Sequence, residues 1–370
     1  MMAFLLITSQ IKRSSRAATR VGISGRRTMT TITPSFQELE EKYPRHRVAL
    51  KNGETLSYVD VNCAQLYSPE TYQAVVAPSH TLIVIPGYGC DSKYNAFTLA
   101  RYAAFRDHRI VGVDPRGYGD STQHTENWSH EENSQDIKLF MEELEIHKTM
   151  VLGYSTGGGP AAWLALNYPE HVTAVFMVSA LPLNGMHTSL LSNTGKATGK
   201  LLITKTDAID YVVQFMTPNI HTAKIEKFRF VVGAVCLDKA NLPPNTDRGF
   251  QLYHEAAMKH QARAPALYAN NAFNVTPIQT PISPPKPHVL SKLKCPMVII
   301  HGANDALIKT RQVRAVTELA MVERWAPKGL LAYYEIPECG HMFMYDNPQG
   351  FQTVYRRALE MQVEKTVSKL

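Results

Sequence analysis

Three residues, far apart in a chain of 370, are of the types that together turn a hydroxyl into a nucleophile: Ser155, Asp305 and His341. A serine hydroxyl is weakly nucleophilic at neutral pH, so it needs an imidazole to take its proton and a carboxylate to orient that imidazole. Ser155 lies in Gly153-Tyr154-Ser155-Thr156-Gly157, after the apolar run Thr149-Met150-Val151-Leu152 and before the helix-like Pro160-Ala161-Ala162-Trp163-Leu164. A strand that ends in G-x-S-x-G and turns at once into a helix holds its serine on a sharp, strained corner, and the flanking glycines allow close approach of neighbouring backbone. Asp305 follows the apolar run Met297-Val298-Ile299-Ile300, and His341 follows the strand-like Leu331 to Ile336. Loops at the C-terminal edge of a parallel sheet converge on one crevice, so the pattern predicts acyl transfer through Ser155 with His341 as base and Asp305 as its orienter. Each has a plainer alternative: an ordinary strand-to-helix turn for Ser155, and a helix cap for Asp305. His301 also stands at a strand end, but it precedes the acid and is read as a structural hydrogen-bonding residue.

The elements that must position these residues follow from patterning. Arg47 to Lys51 and Thr55 to Val61 alternate in polarity around Asn52-Gly53, which predicts an antiparallel hairpin. Continuous apolar runs at Thr81–Ile85, Arg109–Val113, Thr149–Gly153 and Val172–Val178 alternate with helix-like stretches at Tyr94–Phe105 and Glu131–Leu144. Strands buried on both faces and joined by helices predict a doubly wound, mainly parallel α/β sheet. The rhythm breaks between Ser179 and Lys294, where more than 100 residues replace a crossover of about 30. Helix-like pieces at 208–216, 222–235 and 249–261 predict an inserted helical cap, with Pro277, Pro281, Pro284, Pro285 and Pro287 forming a stiff, mostly extended return. The expected division is a basic segment over 1–37, an α/β core over 38–180 and 291–367, a cap with its proline-rich return over 181–290, and a terminal tripeptide at 368–370.

Charge is unevenly placed. The chain carries +7, and Lys12, Arg13, Arg16, Arg20, Arg26 and Arg27, with no acid before Glu38, account for all but +1 of it. A nearly neutral body argues against a nucleic-acid-binding surface, and no apolar run reaches the roughly 20 residues of a membrane span. The basic, serine- and threonine-rich start reads as a mitochondrial-type transit segment, whereas Ser368-Lys369-Leu370 is the tripeptide read by the peroxisomal import receptor. Peroxisomal residence is the primary expectation, and translation from Met29 would omit nearly all of the basic segment. Five scattered cysteines, Cys63, Cys90, Cys236, Cys295 and Cys339, form no C-x-x-C pair, so no metal site or disulfide framework is expected, nor any cofactor. Gly157-Gly158-Gly159 lacks the following Lys-Ser/Thr of a phosphate cradle.

The stretch from about Arg47 to Val363 resembles the α/β-hydrolase superfamily, with Ser155, Asp305 and His341 in that family's chain order. The resemblance rests on Pro86-Gly87-Tyr88-Gly89, on Asp114-Pro115-Arg116-Gly117-Tyr118-Gly119-Asp120-Ser121, on the Ser155 elbow, on His301-Gly302 to Asp305, and on Gly340-His341. The Asp114 loop is similar to that of epoxide hydrolases, while the elbow is similar to the esterase and cofactor-free haloperoxidase branch. Epoxide hydrolases carry an aspartate at the elbow, so Ser155 implies an acyl-enzyme instead. The family's oxyanion hole falls on the backbone N–H groups of Tyr88 and Thr156, and Tyr88 either lines the acyl pocket or faces the surface. Asp114, Arg116 and Asp120 are read as holding their loop in shape. The implied function is a serine hydrolase of carboxylic esters, lipid esters or acyl thioesters, with a small-molecule acyl substrate. Perhydrolase chemistry with the same three residues, and a ligand-binding protein that keeps the fold, are the alternatives.

Overall fold

A computed structural model describes residues 33–67, 77–124, 126–192 and 196–364. The expected transit segment up to residue 32 and the terminal Ser368-Lys369-Leu370 lie outside the described residues. Helix α1 (Phe36–Lys42) starts inside the segment assigned to a basic tail, because Ser35 and Glu38 form a capping box and Phe36 and Leu39 are buried. The hairpin β1 (His46–Ala49) and β2 (Thr55–Asn62) forms with Ala49 opposite Thr55, around Asn52-Gly53 as the dipeptide predicts. The short α2 (Cys63–Leu66) follows, and then β3 (His80–Ile85), α3 (Ser92–Ala100), β4 (His108–Val113), α4 (His130–Glu143), β5 (Thr149–Tyr154), α5 (Gly158–Asn167) and β6 (Val172–Val178) alternate.

The eight-stranded sheet has the order β1-β2-β4-β3-β5-β6-β9-β10, where β9 is Met297–Gly302 and β10 is Leu331–Ile336. Pairings of β1 with β2 and of β2 with β4 are antiparallel, and every other pairing is parallel. Alternate residues of each inner strand enter opposite cores, since strand side chains have a period of two. Leu82, Val84, Leu152, Val298 and Ile300 pack with α3 residue Phe97 and with Phe351 and Tyr355 of a C-terminal helix. Ile83, Ile85, Val151, Met297 and Ile299 pack on the other face with Ile137 and Phe140 of α4 and Leu164 of α5. The apolar runs are continuous because both faces are covered.

Between β6 and β9 the chain forms a two-stranded hairpin, β7 (Ser189–Leu191) with β8 (Ala197–Leu201), and then α6 (Lys205–Tyr211), which passes into a π-helical stretch, Val212–His221. Helices α7 (Ile225–Gly233), α8 (Arg248–Lys259) and α9 (Arg263–Ala272) complete the insertion. The β7–β8 hairpin and α9 have no counterpart in the sequence reading. Pro265 obscures α9 in the sequence, yet it sits in the first turn, where a helix makes no use of the missing N–H. The proline-rich return is not the extended linker the sequence suggests. It doubles back, with Lys286 N–H donating to Thr276 O at 2.7 Å, and Asn274 Nδ2 donating to Ile278 O at 2.8 Å and Pro284 O at 3.0 Å. Side-chain amides thus satisfy carbonyls that prolines, lacking N–H donors, leave unpaired. After β9 come α10 (Thr310–Val322), β10, α11 (Phe343–Asp346) and α12 (Pro348–Ala358). No helix among the described residues is long and apolar enough to cross a membrane.

Candidate active site

The end of β5 sets the nucleophile's position. Ser155 has φ +51°, in the left-handed region that a non-glycine residue rarely occupies. That turn requires two close approaches. A Cβ on Gly153 would collide with the backbone of Gly157, and one on Gly157 would collide with the carbonyl of Ile85 in β3. Both glycines are therefore dictated by backbone packing, and the corner they permit aims the Ser155 side chain away from the strand.

There it meets the other two residues. His341 Nε2 lies 3.1 Å from Ser155 Oγ, and His341 Nδ1 lies 2.8 Å from Asp305 Oδ2. A carboxylate accepts only, so Nδ1 carries the proton and Nε2 is free to accept from the serine hydroxyl. Ser155, Asp305 and His341 are all buried, with 7%, 4% and 4% exposure. Asp305 follows β9, and its two oxygens divide the work. Oδ1 accepts the N–H groups of Leu307 and Ile308, each at 2.9 Å, which fixes the turn, and Oδ2 faces His341. The capping alternative for Asp305 is thus replaced by a turn-holding role beside the histidine contact: α10 begins later, after Lys309, with no side-chain cap. Burial alone would raise the Asp305 carboxyl, but the charge and hydrogen bond of His341, with help from His301 and the Ile308 N–H, hold it below its ordinary range. His301 Nε2 faces Ile308 O at 2.7 Å, the structural hydrogen-bonding role its place in the chain suggests, and also lies 3.3 Å from Asp305 Oδ2.

The two N–H groups expected to face the oxyanion belong to segments beside Ser155. Thr156 lies in the first turn of the helical segment that opens at Ser155, where N–H groups have no partner within the helix. The Tyr88 N–H, in the loop after β3, has no acceptor among the described residues. Gly87 brings this loop against Tyr154 and Ser155. The Tyr88 side chain is half-buried: its hydroxyl lies 3.1 Å from His221 Nε2, and its ring meets that of His260 edge-on.

The insertion between β6 and β9 touches each of these loops. Asn270 of α9 donates from Nδ2 to Thr156 Oγ1 at 3.0 Å. The His341 N–H donates to Val235 O at 3.0 Å, and Asp346 accepts N–H bonds from both Leu237 and Gly340 at 2.9 Å. The cavities described in the molecule are lined by none of Ser155, Asp305 and His341; one, of about 440 Å³, runs beside Phe36, Tyr94 and Tyr345. Asn270, His221 and Val235 were not singled out in the sequence. Asn270 stands in Ala269-Asn270-Asn271-Ala272, where paired amides in a helix interior are the one signal available.

The Asp114 loop holds its shape as expected. Asp114 accepts from Ser57 Oγ and Ser92 N–H at 2.5 Å each and pairs with Arg45 at 3.1 Å. Arg116 pairs with Asp136 at 2.6 Å, and Asp120 lies 3.6 Å from Arg45. Among the described residues no cluster of histidine, cysteine, aspartate or glutamate could hold a metal ion.

Comparison with known proteins adds to this geometry. Residues 80–198 match the family described as alpha/beta hydrolase fold. Ethanol acetyltransferase 1 of Eremothecium cymbalariae is 35% identical over 80 residues, 22% of this chain and 22% of that protein. Epoxide hydrolase 4 of Homo sapiens is 22% identical over 244 residues, 65% of this chain and 62% of that one. The chain therefore spans about a fifth of the first relative's length and somewhat less than two thirds of the second's. The esterase EaEST from Exiguobacterium antarcticum superposes with a TM-score of 0.58 at 14% identity, over 85% of this chain and 98% of that chain, a likeness of fold. Sheet order and fold likeness give the chain the alpha/beta hydrolase fold, and residues 80–198 match that family.

Proposed function

We propose that the protein is a serine hydrolase that cleaves carboxylic esters, lipid esters or acyl thioesters through an acyl-enzyme. The observation that carries this is the continuous chain from Ser155 Oγ through the His341 ring to Asp305, with links of 3.1 and 2.8 Å at the elbow. Ser155 Oγ attacks the substrate carbonyl while its proton passes to His341 Nε2, and Asp305 stabilises the imidazolium that forms. The carbonyl electron pair moves onto oxygen, toward the N–H groups of Tyr88 and Thr156. Donors fixed where charge develops are each worth a few kcal/mol, or about 10²–10³ in rate. As the tetrahedral adduct collapses, the bond to the alcohol or thiol breaks and His341 gives that group its proton. Water then enters, loses a proton to His341 and releases the acid, restoring the Ser155 hydroxyl. A serine at the elbow, in place of a carboxylate, supports acyl transfer over alkyl-enzyme chemistry. The acyl preference belongs to the insertion that closes over the site.

A fluorophosphonate probe and a panel of p-nitrophenyl esters and acyl-CoA thioesters test the reading. Wild-type protein should label at Ser155 and hydrolyse part of the panel, and Ser155→Ala should lose both. Hydrolysis undiminished in Ser155→Ala would sink it.

A further inference from the structure

Both N–H groups assigned to the oxyanion hole belong to residues whose side chains are held by the insertion, not by the core. The Thr156 hydroxyl accepts from Asn270 Nδ2 of α9 at 3.0 Å, a contact in which both residues are buried. The Tyr88 hydroxyl meets His221 at the end of the π-helical stretch, and its direction can be worked out. His221 Nδ1 lies 2.7 Å from the carbonyl of Ala257, which only accepts, so Nδ1 carries the proton and Nε2 accepts from the Tyr88 O–H. Burial lowers the His221 ring to about 4, which keeps it in this neutral form at neutral pH. Two separate helical segments of the insertion thus reach down to the two loops that must present donors to one oxygen atom. The Asn270 amide also neighbours the buried His130 ring, though Oδ1 makes no hydrogen bond of full geometry. Among the described residues, its Nδ2 bond to Thr156 is the one side-chain hydrogen bond with full geometry that the amide makes, and the His130 ring is its other polar neighbour.

We propose that the cap sets the oxyanion hole through these two side-chain bonds, Asn270 to Thr156 and Tyr88 to His221. Asn270 and His221 are then positioning residues for acyl transfer. The proposal rests on the serine-hydrolase reading and specifies how its transition state is served. Donor placement matters steeply, because a shift of about 1 Å in a positioning group costs on the order of 10²-fold in rate. Neither residue touches the reacting atoms, so their loss acts on kcat and leaves ground-state binding nearly alone.

The test uses the full chain, with active sites counted by fluorophosphonate labelling. Asn270→Ala and Thr156→Val, which keeps the backbone N–H, should each lower kcat per labelled site about tenfold on a p-nitrophenyl ester, with KM within about twofold. Affinity for phenylboronic acid, whose serine adduct is a tetrahedral anion, should fall by the same factor. The double variant should be no worse than either single one, since both remove one bond. His221→Phe and Tyr88→Phe remove the second bond from its two sides and should give matching losses. Asn271→Ala is the control: it is equally buried in α9 and bonded to Thr188 and the Leu267 carbonyl, and it should leave kcat per labelled site unchanged even if it lowers Tm. The proposal fails if Asn270→Ala keeps wild-type kcat and boronate affinity per labelled site, or if the double variant multiplies the two losses. A wild-type protein that leaves Ser155 unlabelled would overturn the hydrolase reading itself, a result separable because it needs no variant.

Discussion

Ser155 combines two demands that conflict. Its hydroxyl must stand clear of the strand, and the only corner that achieves this holds a side-chain-bearing residue at φ +51°. For a non-glycine residue that conformation costs roughly 1 kcal/mol or more. Replacement by glycine should relieve the strain, and replacement by alanine should not. We expect Ser155→Gly to unfold at a higher urea concentration than Ser155→Ala, by about 1 kcal/mol in unfolding free energy, with both inactive. Equal midpoints would mean that the elbow stores no strain. The sequence around Ser155 made the corner readable because glycines stand at 153 and 157, where any Cβ would strike backbone. Asp305 and His341 were readable for a related reason: each stands in the loop that follows a strand-like stretch, three residues past β9 and five past β10.

At the scale of elements, the loop after β4 shows how a site wall is kept rigid without belonging to the site. Arg45, just ahead of β1, faces Asp91 at 2.5 Å and Asp114 at 3.1 Å, and its own side chain is only 13% exposed. Burial raises the Asp114 carboxyl while the Arg45 charge opposes that rise. Removing one member of such a group strands the others in a low-dielectric setting, at a cost of about 3–5 kcal/mol. Arg45→Met should accordingly lose about that much stability in urea unfolding, while Lys51→Met, at an exposed pair with Glu142, should change it by less than about 1 kcal/mol. Core strands and crossover helices were legible from periodicity, since each is buried on both faces or along one stripe. The insertion was legible as an interruption with helical pieces at 208–216, 222–235 and 249–261, which overlap the π-helical stretch, α7 and α8. Its hairpin is short, and a first-turn proline masks α9. The proline-rich return is bent by Asn274, whose reach of two residues to Thr276 and four to Ile278 no hydropathy pattern displays. The polar contacts that tie the insertion to the elbow join residues 114 and 133 positions apart, and nothing local in the sequence pairs them.

At the scale of the whole molecule, five buried histidines resist protonation. Burial lowers His108 to about 4, His221 to about 4 and His130 to about 3, and places His260 and His301 below the usual range. In the unfolded chain each would titrate near 6.5. Their contribution to stability is therefore complete above about pH 6.5 and is lost as pH falls toward the folded values, because only the unfolded state gains the proton. Each adds up to about 1.4 kcal/mol per pH unit within that window. Urea midpoints should fall steadily from pH 7 to pH 4.5. His130→Leu should flatten that slope by close to one proton, since burial outweighs the opposing contact with Asn270 and keeps the ring neutral in the folded state. An unchanged slope would show that His130 does not titrate on unfolding.

The enclosure of Ser155 also orders events in time. Under the proposed hydrolase reading, the burial of Ser155 and the bonds from the insertion to Thr156 and Tyr88 tie access to the serine to the same segments that hold its donors. A substrate admitted by movement of the insertion would then disturb both bonds, and they would re-form as the insertion returns. Under that reading, selectivity would depend on how long a bound molecule stays as well as on how it fits.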